Sequence, residues 1–293
     1  MTKADPHKTG TWGQWLTDRA IRAVLWLLLA LPYRWRVPLC GWVMSRIVAP
    51  LAGWPRRIQE NLAHTLPDLA QDQIDRLVSR VPENIGRTVI EIYSGAEFIA
   101  RTTSLPLTGE GVAALEAAHA AKTPVILATG HFGNYDAVRA ALIARGYSLG
   151  ALYRPMSNPW FNDHYVKAIG TIGQPLFERG RNGLAQMLRH LRDGGMLGIL
   201  PDQRMRKGMK LTFFGKEALT ALSAADMALK YDALLIPTYA IRQPDGLSFQ
   251  IIVDAPIPHG TPEAMTQALN DNLERLIRQY PDQWFWIHRR WKP

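Results

Sequence analysis

Residues 129–136 read Thr-Gly-His-Phe-Gly-Asn-Tyr-Asp and follow the short apolar run Val125–Ala128. His131 and Asp136 stand five positions apart across a turn, close enough for the carboxylate to reach back to the imidazole. A carboxylate that accepts the Nδ1–H of such a ring fixes its tautomer, leaves a lone pair on Nε2, and stabilises the imidazolium once a proton arrives. That pair is suited to taking a proton from a hydroxyl. Gly130 and Gly133 leave room for close backbone approach by a ligand, and Asn134 lies in the same turn as a candidate substrate contact. The plain alternative is a turn histidine beside an aspartate that caps the next helix.

The surrounding pattern predicts an α/β fold. Apolar runs at Val125–Ala128, Leu149–Tyr153, Pro175–Glu178 and Met196–Leu200 read as strands, and helical spacing separates them at Asp136–Arg145, Trp160–Ile169 and Gly183–Arg192. A further helix is expected at Ala221–Tyr231, capped by Ser223 or Thr220, and another at Pro262–Tyr280. Leu234–Arg242 and Leu247–Val253 flank Pro244-Asp245-Gly246, a hairpin signal. Alternating strands and helices imply a mostly parallel sheet covered on both faces, made mixed by the late hairpin.

Sites in such sheets form outside the carboxyl ends of strands, and several side chains fall there. Arg154 offers a bidentate fork for phosphate, or a surface ion pair. Asn158 precedes Pro159 and also suits a turn start. Arg179 and Arg181 flank Gly180 before a helix, an arrangement that suits an anion or a solvated loop. Asp202 and Gln203 follow a buried strand. Asp202 is suited to ordering Arg154 or an acceptor hydroxyl, and equally to capping a turn. Arg204, Arg206, Lys207 and Lys210 form a basic loop that suits an acidic partner or a phosphorylated lipid.

The chain has 293 residues and a formal net charge of +9, with 47% hydrophobic residues and one cysteine. Disorder, a disulfide scaffold and Cys-rich zinc sites are excluded. His64, His119, His164, His190 and His259 show no metal-ligand spacing, and there is no G-x-S-x-G elbow. Residues 1–58 hold nine bases, including Lys3 and Lys8, against Asp5 and Asp18, so seven of the nine net charges lie there. Six of the ten tryptophans lie there too. Bases interleaved with Trp around the apolar stretch Ala20–Leu31 match a bilayer surface rather than nucleic acid. The expected organisation is a membrane-anchoring region over 1–58 and a catalytic domain over 59–293. The anchor is expected to lie in the interface or insert shallowly, with a full span and a buried core helix with basic flanks as the alternatives. Cys40 falls in that stretch, outside any expected chemistry.

Five blocks, GHFGNYD, LYRPMSNP (Leu152–Pro159), GILPDQ (Gly198–Gln203), FFGKEA (Phe213–Ala218) and QWFWIHRRWK (Gln283–Lys292), resemble in order and spacing the bacterial lipid A biosynthesis acyltransferases. These are the late lauroyl and myristoyl transferases, akin to the H-x4-D glycerolipid acyltransferases. The resemblance implies transfer of an acyl group from an acyl carrier protein or coenzyme A thioester to a hydroxyl of a lipid A precursor, with a glycerophospholipid or other glycolipid as the alternative acceptor. His131 would be the general base and Asp136 its orienter. Asn134, Arg154, Asn158, Arg179, Arg181, Asp202 and Gln203 would be substrate contacts. No metal, cofactor or covalent enzyme intermediate is implied. The implied location is the bacterial inner membrane, with the catalytic domain on its cytoplasmic side. Asp136 stands where the late lipid A enzymes often carry Glu. Aspartate is more typical of the glycerolipid branch and of mannoside-acylating relatives, so the acceptor is left open. A non-catalytic membrane-bound scaffold is the reading outside enzymes, and the intact His131–Asp136 pair weighs against it.

Overall fold

The computed structural model describes residues 10–291, so Lys3, Asp5, Lys8 and Lys292 lie outside the described residues. The chain opens with helices. Helix α1 (Trp12–Leu29) starts at a capping box in which the Thr11 hydroxyl accepts from the Gln14 amide and the Gln14 side chain answers the Thr11 N–H. Helix α2 (Tyr33–Val43) begins after Pro32 and runs through a π-helical turn (Met44–Val48) into α3 (Ala49–Leu51). Then come α4 (Trp54–Thr65), α5 (Gln71–Tyr93) and α6 (Gly95–Thr103). Ile58, the last residue of the expected N-terminal region, sits within α4. No single helix among the described residues is long and apolar enough to cross a membrane. Tyr33–Leu51 and Trp54–Thr65 meet that test only as a pair bent by 87°.

The rest is the α/β fold. The elements are β1 (Leu107–Thr108), α7 (Val112–Ala121), β2 (Val125–Ala128), α8 (Tyr135–Ala144), β3 (Leu149–Tyr153), α9 (Pro159–Ile172), β4 (Leu176–Glu178), α10 (Arg181–Arg192) and β5 (Met196–Ile199). They continue as β6 (Met209–Phe213), β7 (Lys216–Thr220), α11 (Ser223–Tyr231), β8 (Leu234–Arg242), β9 (Phe249–Val253) and α12 (Pro262–Gln279). Seven strands form one sheet in the order β1-β9-β8-β2-β5-β3-β4. Every pairing in it is parallel except β8 with β9, so the mostly parallel, mixed sheet is as expected.

Strand β2 is buried on both faces. Val125 and Leu127 pack with α6, α7 and α8 through Phe98, Leu115, Ala137 and Ala141. Ile126 and Ala128 face α10, α11 and α12 through Met187, Ala225 and Leu269. This is the period of two of a strand between two helical layers. A third cluster, rich in aromatic rings, joins α4 and α5 to Phe132, Phe213, Phe214, Trp284 and Trp286.

Two expectations need correction. The basic stretch after Gln203 is not all loop: Met209–Phe213 and Lys216–Thr220 pair as a separate antiparallel hairpin, because alternation there is masked by surface lysines. Neither Ser223 nor Thr220 caps α11. Its cap position is Leu222, without a side-chain bond, and the Thr220 hydroxyl instead accepts from Arg290 at 2.5 Å.

Candidate active site

The site is built by strand register. Parallel strands β2 and β5 lie side by side with Ala128 opposite Ile199. His131 follows Ala128 and Asp202 follows Ile199 by the same short step, so the two side chains emerge together at the carboxyl edge of the sheet. His131 Nδ1 lies 2.8 Å from Asp202 Oδ1, and the His131 backbone N–H donates to Asp202 Oδ2 at 2.7 Å. The Trp284 indole N–H donates to the same Oδ2 at 3.0 Å. Asp202 is buried. Burial alone would raise its carboxyl, but the opposing His131 charge and the donors from His131 and Trp284 outweigh it and hold the group below its usual value. An ionised Asp202 accepts from Nδ1–H, so in the neutral ring it is Nε2 that holds the lone pair. That nitrogen faces the Gln203 side-chain amide at 3.1 Å. Tyr135 and Phe285 lie against the ring, with centroids at 5.8 and 5.7 Å.

The expected His131–Asp136 contact is not among the hydrogen bonds or ion pairs of the described residues. Asp136 opens α8 with its side chain turned into the protein, where Oδ1 lies 3.2 Å from Arg139 Nε. Burial raises its carboxyl pKa, with Arg139 opposing. Arg139 in turn donates to the carbonyl of Ile169. The physical reason is the helix start. In the first turn of α8, the residue at this position points towards α9, while the neighbouring strand end supplies a closer carboxylate.

Asn134 is fully buried and caps α8, its Oδ1 accepting from the Asp136 N–H at 3.0 Å. Its amide donates to Glu91 Oε2 at 2.8 Å. Glu91 is gripped by Arg242 at 2.5 and 2.7 Å. This buried chain pins the turn that carries His131. Asn134 is therefore buried, with both ends of its side chain held by the protein. Both glycines meet close neighbours within the protein. A Cβ on Gly130 would lie 2.9 Å from Leu273 and 3.3 Å from Asp202 Oδ2. Gly133 has φ +54°, and a Cβ there would meet the Ala240 carbonyl at 1.9 Å.

Asn158 caps α9, accepting from the Trp160 and Phe161 N–H groups at 3.1 and 3.2 Å, and donates to the Gln14 carbonyl at 2.7 Å. Arg154, Arg179 and Arg181 are exposed at the ends of β3 and β4. None of their side chains has a hydrogen bond or ion pair among the described residues. They share the carboxyl edge of the sheet with His131 and Asp202, set outward from β5.

Sequence reasoning missed Trp284, Glu91 and Arg242. Trp284 reaches the site because Phe132 bridges to it in antiparallel fashion and the Gly133 N–H donates to the Gln283 carbonyl at 2.9 Å. The segment from Pro281 onward thus straps the His131 turn. Trp284, Trp286 and Arg290 are buried, so most of this cluster packs. His288 Nε2 accepts from the Arg204 N–H at 2.9 Å. Burial lowers the pKa of His288, which keeps it neutral for that role.

A buried carboxylate on one nitrogen of an accessible imidazole, with the other nitrogen at the mouth of the site, is general-base geometry. The sequence matches the family model described as "Bacterial lipid A biosynthesis acyltransferase" over residues 2–293. The chain belongs to this family. It is an acyltransferase. It is 26% identical over 292 residues to the lipid A biosynthesis lauroyltransferase of Escherichia coli (strain K12), covering 95% of this chain and 92% of that protein. It is 24% identical over 283 residues to the lipid A biosynthesis acyltransferase of Haemophilus influenzae, covering 94% and 86%. A phosphatidylinositol mannoside acyltransferase of Mycobacterium tuberculosis (strain ATCC 25618 / H37Rv) is also 24% identical, over 245 residues, covering 82% and 78%. The acyltransferase fold thus places His131, Asp202 and Gln203 at one sheet edge and Asp136 behind it.

Proposed function

We propose that this acyltransferase moves a fatty acyl chain from the thioester of acyl carrier protein or coenzyme A to a hydroxyl of a lipid A precursor. His131 is the general base and Asp202 orients it. The observation that carries the reading is the 2.8 Å Nδ1–Oδ1 contact, which leaves Nε2 at the open end of the ring. The acceptor hydroxyl donates to Nε2 and gives up its proton there as its oxygen bonds to the thioester carbonyl carbon. Charge passes to the carbonyl oxygen. When the tetrahedral species collapses the C–S bond breaks, and the imidazolium returns the proton to the departing thiolate. Asp202 stays ionised and stabilises the imidazolium between the two steps. Base catalysis of this kind contributes about 10²–10⁴ in rate. Holding two substrates in one orientation supplies much of the rest.

The surroundings support the two substrates. Arg154, Arg179 and Arg181, exposed at the strand ends, fit the phosphates of a lipid A precursor. Arg206, Lys207 and Lys216, with Met205 and Met209 among them, are exposed beyond Gln203 and fit an acidic carrier protein. Lys210 is tied to Glu217 at 3.0 Å. The N-terminal helices support a bilayer surface as the workplace. Trp12, Trp26 and Leu51 are 82%, 71% and 85% exposed, with Leu16, Leu27, Trp35 and Trp42 also open and Arg19 and Arg22 nearby. Such a surface suits shallow insertion into an anionic bilayer. The proposed location is the cytoplasmic face of the bacterial inner membrane.

A second acceptor class, a mannoside or other glycolipid, is favoured by the mannoside-acylating relative, which is as similar as one of the lipid A relatives. One assay separates them. The protein is incubated with acyl carrier protein and coenzyme A thioesters of several lengths, each with a lipid A precursor, a phosphatidylinositol mannoside or a lysophospholipid. Mass spectrometry of the lipids then reads donor, chain and acceptor together. An acylated lipid A precursor is expected, and its absence beside an acylated mannoside reverses the choice of acceptor.

A further inference from the structure

The contact at the open nitrogen of His131 has a use of its own. Asp202 and Gln203 are consecutive, and they hold the two nitrogens of one ring. Asp202 Oδ1 takes Nδ1 at 2.8 Å, and the Gln203 amide meets Nε2 at 3.1 Å. Since the Asp202 contact puts the ring proton on Nδ1, the amide N–H of Gln203 donates into the lone pair that does the chemistry. With no substrate bound, the base is occupied.

We propose that Gln203 is a displaceable cap that reserves His131 for the acceptor lipid and suppresses hydrolysis of the acyl donor. This rests on the reading of His131 as general base. An uncapped base beside a bound thioester would activate water as readily as an alcohol. The water oxygen would bond to the carbonyl carbon and the C–S bond would break. One water proton would pass through Nε2 to the thiolate, leaving a free fatty acid and a thiol. The amide stands in the position that this water needs. A lone water gains only the hydrogen bond that it displaces. An acceptor lipid brings the binding of its headgroup and chains, which offsets the loss of the cap.

The surroundings allow the side chain to move while the backbone stays. Gln203 is exposed, and its amide has no other side-chain partner among the described residues. On either side the chain is fastened. Asp202 is buried and accepts three donors, and the Arg204 N–H is bound to His288 Nε2 at 2.9 Å. Displacing the cap therefore costs side-chain rotation and one neutral hydrogen bond. Gln203 acts through His131 and is a positioning residue, so its role is read in the partition between products rather than in rate alone.

The test compares the full-length wild type, Gln203→Ala, His131→Ala and the double variant. Dodecanoyl-coenzyme A is the donor, and thiol release is measured without acceptor and acyl transfer with a lipid A precursor. In Gln203→Ala the ratio of hydrolysis to transfer is expected to rise roughly 3- to 10-fold, the factor that one neutral hydrogen bond is worth. Both reactions are expected to vanish in the variants lacking His131. A ratio that is unchanged or lower in Gln203→Ala, with His131→Ala inactive, overturns the cap and leaves the base in place. Hydrolysis and transfer that persist in His131→Ala overturn both. For Gln203→Ala a thermal unfolding midpoint within about a degree of wild type is expected, because Gln203 lies at the surface.

Discussion

Asp202→Asn changes the charge of the His131 partner and little else, and it separates the two carboxylates that the sequence offers. Three donors converge on Asp202: the His131 ring at 2.8 Å, the His131 backbone at 2.7 Å and the Trp284 indole at 3.0 Å. An asparagine has one acceptor oxygen for these three, and its own N–H groups oppose one of them. A hydrogen bond to a charged group contributes roughly 1.5–3 kcal/mol. The imidazolium formed in the transition state also loses its counter-charge. Together these remove about 3–5 kcal/mol of transition-state stabilisation, or roughly 10²–10⁴ in kcat. Asp136→Asn is the matched comparison. It leaves the buried Arg139 guanidinium without its carboxylate, at a cost of about 3–5 kcal/mol in stability. In the protein that stays folded, kcat is expected to fall by less than roughly fivefold, because no bond links Asp136 to the ring. The assay is steady-state acyl transfer at a temperature well below both unfolding midpoints, with the midpoints measured in parallel. Asp202→Asn within threefold of wild type, beside Asp136→Asn reduced a hundredfold, would refute the assignment of the orienting role.

The remaining predictions test the parts that hold this pair. Trp284→Phe keeps a ring in the core but removes the indole donor to Asp202, and kcat is expected to drop about 10- to 150-fold, as for one bond to a charged acceptor. An unchanged kcat would show that the indole only fills space. Glu91→Gln leaves Arg242 buried without its counter-charge and should cost about 3–5 kcal/mol in urea unfolding. A loss under 1 kcal/mol would contradict the clamp. His288 gives a pH dependence. Burial lowers its pKa in the folded state, so unfolded chains, titrating near 6.5, bind the proton first as pH falls. Its contribution to stability is complete above about pH 6.5 and is lost as pH falls towards the folded value. The unfolding midpoint of wild type is expected to fall more steeply from pH 7 to 5 than that of His288→Gln, and parallel profiles would exclude the effect.

Much of the frame was legible in the residues. The runs Val125–Ala128, Leu149–Tyr153 and Leu234–Arg242 appear as strands with the expected bounds, because each is a short, mainly apolar run with glycine or proline close behind it. His131 was legible for the same reason, since it follows such a run. Its carboxylate partner was not. Spacing along the chain favours Asp136, and that residue is close in sequence. A spatial neighbour delivered by another strand leaves no local trace, because it depends on which strand lies beside β2. Asp202 was visible as a residue at a strand end, but pairing it with His131 requires knowing that β5 inserts between β2 and β3. Asn134 and Asn158 show a different ambiguity. A polar side chain at a helix start satisfies backbone N–H groups as readily as a ligand, and composition does not distinguish the two. The strap carrying Trp284 was recognisable as an aromatic block, while its contact with the His131 turn depends on a bridge from Phe132 that no periodicity reports.

The register of Ala128 against Ile199 also sets which changes of length the enzyme tolerates. The chain between the two strands passes through α8, β3, α9, β4 and α10. Residues added or removed in the exposed connections of that excursion leave both strand ends where they are. The short reaches Thr129–Gly130 and Leu200–Pro201 have no such freedom. One extra residue in either would advance one side chain by about 3.3 Å and turn it to the other face, parting the imidazole from its carboxylate while each strand stayed paired. Natural variants of this fold should therefore differ in length freely across the excursion and agree in the two reaches. Engineered insertions can be sited by the same rule.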